Sequence, residues 1–140
     1  MREKLFTHTL FTQVFKFASV GVLNTILDAV LYFALTRWLG FAAVPLIAKA
    51  ISYTAGIVNS YVWNRSWTFK STTSAKKSFL PFVLTNLFAI GINGLGMHLC
   101  LNILRFHEAF SFLLATAITF VWTFTTSKLV VFAERSVQKP

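Results

Sequence analysis

Of 140 residues, 56% are hydrophobic, 12% are charged and 16 are phenylalanine. An ordinary soluble domain carries about 25% charged residues, so the composition excludes that class and points to a membrane protein. Thirteen Lys and Arg against four Asp and Glu leave a net charge of +9. With apolar spans in the chain, this charge selects anionic headgroups and lipid phosphates rather than nucleic acid, and it also serves to set topology. The single cysteine, Cys100, excludes an internal disulfide, and no Cys/His cluster has zinc-ligand spacing, so neither a metal nor another cofactor is expected.

Four apolar segments follow in chain order, at about Phe17 to Trp38, Ala42 to Trp63, Phe79 to Leu104 and Phe110 to Phe132. Each reaches the roughly 20 residues that a helix needs to cross a hydrocarbon core of about 30 Å. The runs are continuous rather than alternating, which selects helices over a barrel, because backbone groups in lipid must be bonded within the segment. The sequence therefore predicts an all-α membrane protein with four transmembrane helices in a single domain over residues 1–140. The first segment exceeds a signal-peptide core and lacks a clear small-residue cleavage site, which predicts a retained span. Pro45 and Pro81 fall in the first turns of the second and third spans, where a missing N–H costs little. The stretch "KSTTSAKKS", Lys70 to Ser78, reads as polar loop within a connection over residues 65–78, whereas the connections near Gly40 and His107 are short.

Positive charge orients these spans. Arg2, Lys4 and Lys16 precede the first; Arg65, Lys70, Lys76 and Lys77 lie between the second and third; Lys128, Arg135 and Lys139 lie at the C-terminal end. Only Arg37 and Arg105 fall on the opposite side. The bias places both termini in the cytoplasm of a multi-pass protein of the cytoplasmic membrane.

Pairing the spans brings out an internal repeat. "FKFASVGVLNTILD", from Phe15, aligns with "LPFVLTNLFAIGIN", from Leu80, so that Phe17 meets Phe82 and Asp28 meets Asn93, 65 residues apart. "AKAISY" from Ala48 resembles "ATAITF" from Ala115, and "NRSWTF" from Asn64 resembles "SKLVVF" from Ser127. The chain reads as two tandem helical hairpins of the same orientation, related by an axis along the membrane normal.

Polar residues inside spans are costly and need a partner or a purpose. Asn24 and Asp28 are four apart on one face of the first span with Gly21. Lys49, Ser52, Gly56, Asn59 and Trp63 recur every three or four residues in the second, giving one stripe. Asn86 and Asn93 lie seven apart in the third span, and Thr116, Thr119, Thr123 and Thr126 or Ser127 line the fourth. Four such seams make either a well-bonded bundle or a polar cavity. Counted from Gly40, Asp28 and Lys49 differ in depth by only about 4 to 5 Å, within reach of a lysine. They form either a structural ion pair, with Lys49 alternatively snorkelling outward, or a proton- or phosphate-responsive pair in a translocation path.

The pattern "FKFASVGVLNTILD", then "AKAISYTAGIVNSYVWNRSWTF", then a third span opening in Phe-Leu-Pro-Phe and a chain end "TSKLVVF" resembles the GtrA-like family of small four-span membrane proteins. "NRSWTF" is its most specific part, and the resemblance runs from about Phe15 to Phe132. It implies a role in cell-surface polysaccharide synthesis: either moving polyprenyl-phosphate-linked sugars across the membrane, or accompanying and anchoring the membrane glycosyltransferases that make them. The fourth span ends in Thr126-Ser127-Lys128 rather than in an Asn-containing version of the motif.

Such a substrate presents a phosphate and a hydroxyl-rich head that must not meet bare lipid. Arg65 offers a planar fork suited to phosphate, Lys128 a point charge, and Asn64, next to Arg65 in the chain, joins them as a phosphate-binding candidate. Asn24, Asp28, Lys49, Asn59, Asn86 and Asn93 offer polar contacts to the sugar along the seams. Trp63 and Trp67 either stack on it or anchor the helix end among the membrane lipids. Competing classes fit less well. Glu3, Asp28, Glu108 and Glu134 are scattered, His8, His98 and His107 form no constellation, and no phosphate-cradling glycine loop is present, so an enzyme is not expected. A proton-driven exporter assembled in antiparallel fashion needs insertion both ways, against the charge bias. A homodimer is expected, since four helices are few for enclosing a glycolipid head.

Overall fold

The computed structural model describes residues 2–133, with side chains from His8 onward. Among the orienting cations, the side chains of Arg2 and Lys4 and the whole of Arg135 and Lys139 lie outside this description. All regular structure among the described residues is helical: α1 (Arg2–Trp38), a 3-10 turn (Phe41–Ala43), α2 (Pro45–Trp63), α3 (Ala75–His98) and α4 (Glu108–Thr126). The last three helices each continue into a π turn, Asn64–Thr68, Leu99–Ile103 and Ser127–Val131 respectively.

The chain divides into two units, Met1–Lys70 and Ser71–Pro140. In the first, α1 packs along α2; in the second, α3 packs along α4. Large apolar side chains point outward: Phe15, Val22, Leu23, Ile26, Val30 and Phe33 are all exposed along α1. Many of the buried positions are instead small or hydroxylated, Ala48, Ser52 and Gly56 on α2 and Ser111 and Ala115 on α4, beside a few large ones such as Phe82, Phe124 and Phe132. An apolar surface over small and hydroxylated contact positions suits helices that pack through close backbone approach in lipid. Among the described residues, three helical stretches are long and apolar enough to cross a membrane: His8–Trp38, Ala75–Ile103 and Glu108–Val131. α2, with 19 residues, is about 28 Å long, but Lys49, Ser52, Asn59 and Ser60 dilute its apolar content.

Boundaries depart from the sequence reading where no breaker exists. α1 starts well before Phe17, because "REKLFTHTLFTQVFK" contains neither Gly nor Pro and Thr12 Oγ1 donates to the His8 carbonyl at 2.9 Å. The loop expected over Lys70 to Ser78 is shorter, since α3 begins at Ala75 and takes in Lys76, Lys77 and Ser78. Pro81 therefore lies inside α3 instead of in its first turn, and withholds a donor from the Lys77 carbonyl. Pro45 does open α2 at its first position.

The two units share internal geometry. Phe17 rests against Phe69 at 5.9 Å between ring centroids, and Phe82 against Phe132 at 5.7 Å. Both second helices end alike: the Phe69 N–H donates to the Asn64 carbonyl and the Phe132 N–H to the Ser127 carbonyl, each at 2.9 Å. The 65-residue separation of Phe17 and Phe82 and the match of "NRSWTF" to "SKLVVF" thus correspond to equivalent places. The match of "AKAISY" to "ATAITF" does not. Counted back from the π turns, the counterparts of Ala48 and Ser52 are Ser111 and Ala115, all four nearly or fully inaccessible. Small residues recurring every four positions look the same after a slip of one helical turn.

In the second unit the close approach is at Gly96, where an added Cβ lies 3.3 Å from the Ala115 Cβ. Gly96→Val is expected to lower the thermal midpoint of the detergent-solubilised protein, by a loss on the order of 1–3 kcal/mol. Gly94→Ala meets nothing within 4 Å and should leave the midpoint unchanged or raise it. Equal stability of Gly96→Val and the parent would show that α3 and α4 are not held this close.

Candidate functional site

An apolar helix pair must satisfy its polar side chains internally, and the first unit does so across the α1–α2 interface. Asn59 Nδ2 donates to Asn24 Oδ1 at 2.7 Å, and Ser52 Oγ donates to Asp28 Oδ1 at 2.6 Å. Lys49 Nζ donates to the other carboxylate oxygen, Asp28 Oδ2, in the one salt bridge among the described residues. The result is a ladder whose rungs are Asn24–Asn59 and Asp28 with Ser52 and Lys49. Asp28 has both oxygens engaged and its side chain is 23% exposed, whereas that of Lys49 is 53% exposed. The ammonium lies 6.0 Å from the centroid of the Tyr32 ring, within the range of a cation–π contact.

The second unit is neutral at the matching place. Asn93 Nδ2 donates to Thr119 Oγ1 at 3.3 Å, the side-chain rung between α3 and α4. Asn86 does not reach across: its Nδ2 donates to the Phe82 carbonyl of its own helix at 2.8 Å. Thr119 and Thr123 likewise donate to carbonyls of α4. A second crossing bond comes from Trp122, whose Nε1 donates to the Thr85 carbonyl at 3.4 Å. Sequence reasoning missed it, although an indole N–H inside an apolar helix needs an acceptor.

At the π-turn end of α2, Asn64 is 1% exposed. Its Nδ2 donates to Ser60 Oγ at 3.1 Å and its Oδ1 accepts from Thr68 Oγ1 at 3.0 Å. Asn64 therefore faces inward and ties the π turn together. Arg65, next in the chain, is half-buried. Trp63 and Trp67 meet edge to face at 6.1 Å, and Lys16 of α1 lies 5.0 Å from the Trp67 ring centroid while donating to the Trp67 carbonyl at 3.4 Å. Lys16 entered the sequence reading only as an orienting charge, because its 51-residue separation from Trp67 carries no local signal. In the second unit Lys128 holds the position of Arg65, second in its π turn, with Nζ 5.9 Å from the Phe124 centroid. No group of three His, Cys, Asp or Glu side chains that could hold a metal ion occurs among the described residues.

Residues 16–132 match the family described as "GtrA/DPMS, transmembrane domain". The chain is also similar to a protein of Bacillus subtilis (strain 168) described as "Uncharacterized membrane protein YngA", 44% identical over 88 residues. That alignment covers 62% of this chain and 57% of the relative's length. No solved structure matches.

The Asn24–Asn59 rung makes a prediction independent of function. In a double-mutant cycle of Asn24→Leu and Asn59→Leu, the coupling energy in bilayers or micelles should fall between about 0.5 and 1.7 kcal/mol, the range of hydrogen bonds between membrane helices. Strictly additive losses would show that the bond contributes nothing net to the pairing of α1 with α2.

Proposed function

This chain belongs to the GtrA/DPMS transmembrane-domain family, and from that premise we propose that it moves a polyprenyl-phosphate-linked sugar across the cytoplasmic membrane for cell-surface polysaccharide synthesis. In this reading all four helices span, α2 included, as two tandem hairpins with both termini in the cytoplasm. The observation that carries the proposal is the ladder from Asn24–Asn59 to Asp28, Ser52 and Lys49, a run of polar groups through an otherwise apolar helix pair. A hydroxyl-rich head crossing hydrocarbon needs such alternating donors and acceptors.

Arg65 receives the phosphate on the cytoplasmic side. Its guanidinium presents parallel N–H donors to two phosphate oxygens, and Trp63 and Trp67 seat the helix end at the interface. Asn64, buried and engaged with Ser60 and Thr68, contributes by shaping the turn that presents Arg65. Lys128 is the corresponding cation of the second unit. Asn24, Asn59 and Asn93 supply sugar contacts, Asp28 and Lys49 line the same polar path, and Asn86 bonds to its own backbone. No bond is made or broken in the substrate, so the role is transport and not catalysis.

A second reading is favoured by the second unit, where Asn86, Thr119 and Thr123 bond to their own helices. Residues satisfied in this way pack helices rather than receive a ligand. They suit a membrane anchor or scaffold for a polyprenyl-phosphate glycosyltransferase, and the partner enzyme and a homodimer belong to both readings.

Reconstitution with a labelled lipid-linked sugar separates the two. The transport reading expects faster exchange of the sugar between leaflets than in protein-free vesicles; no acceleration, with or without a glycosyltransferase, would leave the scaffold. Arg65→Lys keeps the charge but loses the fork, and should slow exchange about tenfold while inserting normally. Full exchange by that variant would remove Arg65 from phosphate binding.

A further inference from the structure

The Asp28–Lys49 pair has no charged counterpart in the second unit, where a neutral Asn93–Thr119 contact joins α3 to α4. Helix pairing in this fold therefore does not itself require an ion pair, and burying one is expensive. Its geometry is also lopsided. Asp28 is held twice, by Ser52 through Oδ1 and by Lys49 through Oδ2, so its carboxylate keeps its orientation when the lysine leaves. Lys49 is held to α1 only by that carboxylate and the distant face of Tyr32, and over half of its side chain is accessible. The ammonium meets one carboxylate oxygen and is otherwise accessible, so it has donors to spare. A lysine has three N–H donors on a flexible four-carbon stem.

Position adds a second argument. Lys49 precedes Arg65 by 16 residues, which puts it on the order of 20 Å away along α2 and the π turn that continues it. The stripe between them carries Ser52, Gly56 and Asn59 at spacings of three and four, and Asn59 is bonded to α1.

We propose that Lys49 is a second phosphate-binding station, near the end of the first unit opposite Arg65, and that Asp28 is its resident counter-ion, occupying the lysine until a lipid phosphate ester displaces it. The inference rests on the transport reading and names a further station for the same substrate. Counter-ion exchange keeps Lys49 neutralised throughout. It also leaves Asp28 with Ser52 alone, at a cost that makes phosphate binding here weak and reversible. A release station needs that property, since a tight second site would trap the substrate.

The test uses the full chain in micelles with citronellyl phosphate, a short prenyl phosphate ester, as probe in calorimetric titration. Arg65→Gln is the background, so that the first station is silent. On it, Asp28→Asn should tighten binding about tenfold, the scale of one charge-assisted hydrogen bond released from competition, and Lys49→Gln should abolish it. Adding Asp28→Asn to Lys49→Gln should restore nothing. Weaker or unchanged binding in Asp28→Asn, or retained binding in Lys49→Gln, overturns the station. Displacement of the probe by phosphatidylglycerol assigns the site to bulk headgroups, and displacement by inorganic phosphate assigns it to free anion; either result overturns the claim as well. Far-ultraviolet circular dichroism and the thermal midpoint confirm that each variant is folded, and Lys49→Arg, which keeps the cation, should retain binding. In vesicles, normal exchange by Lys49→Gln sinks this inference and leaves the transport reading standing. Probe binding without any exchange sinks transport and leaves the station as a binding site.

Discussion

Polar groups inside an apolar helix pair have nowhere to go but to each other, and the first unit is organised around that constraint. Its outward surface is rich in Phe, Val, Leu and Ile, and Asn24 and Asp28 on α1 find their partners on α2. They meet Asn59, Ser52 and Lys49, and this sets the register of the two helices. The small residues Ala48, Ser52 and Gly56 then let the backbones come close enough for those bonds to form. Packing and polar satisfaction are one arrangement here: Ser52 is both a small interface residue and the donor that fixes Asp28.

Helix termination is the second shared device. A helix end leaves carbonyls without intrahelical partners, and α2 and α4 both finish in a π turn closed by the amide of a phenylalanine. That phenylalanine packs on another in the first helix of its unit, so the turn also clamps the open end of the helix pair. Lys70 follows with a left-handed φ of 48°, as does Arg105 with 53° after the π turn at Leu99–Ile103. Cations are favourable at helix C-termini, which offsets part of the steric cost of that conformation for a residue with a Cβ. In the second unit Ser71 Oγ and Thr73 Oγ1 donate to the Phe132 and Ala133 carbonyls, satisfying that end from the unit's own start.

The units differ in charge on this common plan. Asn93 stands where Asp28 stands, and the second unit bonds through an amide, an indole and several hydroxyls that return to their own helix. Neutral contacts are the less costly way to join helices in lipid. The ionic rung in the first unit is therefore the feature that structural economy does not account for, and it is where the functional reading concentrates.

Much of this was legible in the residues. The apolar runs, the polar spacing on α1 and α2, the reach of Lys49 to Asp28 and the repeat of the helix ends follow from the 3.6-residue period and from the cost of polar groups in hydrocarbon. Those constraints are local, or act between neighbouring segments of known depth. Other features needed the tertiary structure. Whether an asparagine crosses to a partner, as Asn59 and Asn93 do, or returns to its own backbone, as Asn86 does, depends on which helix face meets the neighbour. The equivalence of Ser52 with Ala115, the inward turn of Asn64 and the meeting of Lys16 with Trp67 depend likewise on how two helices are set against each other. By itself the sequence determined that this chain is helical, made for a membrane, and polar along particular stripes, because composition and period suffice for that. Only the three-dimensional packing decided which polar groups are paired and that Lys49 stays accessible while paired with Asp28, because pairing is a property of two surfaces and not of one.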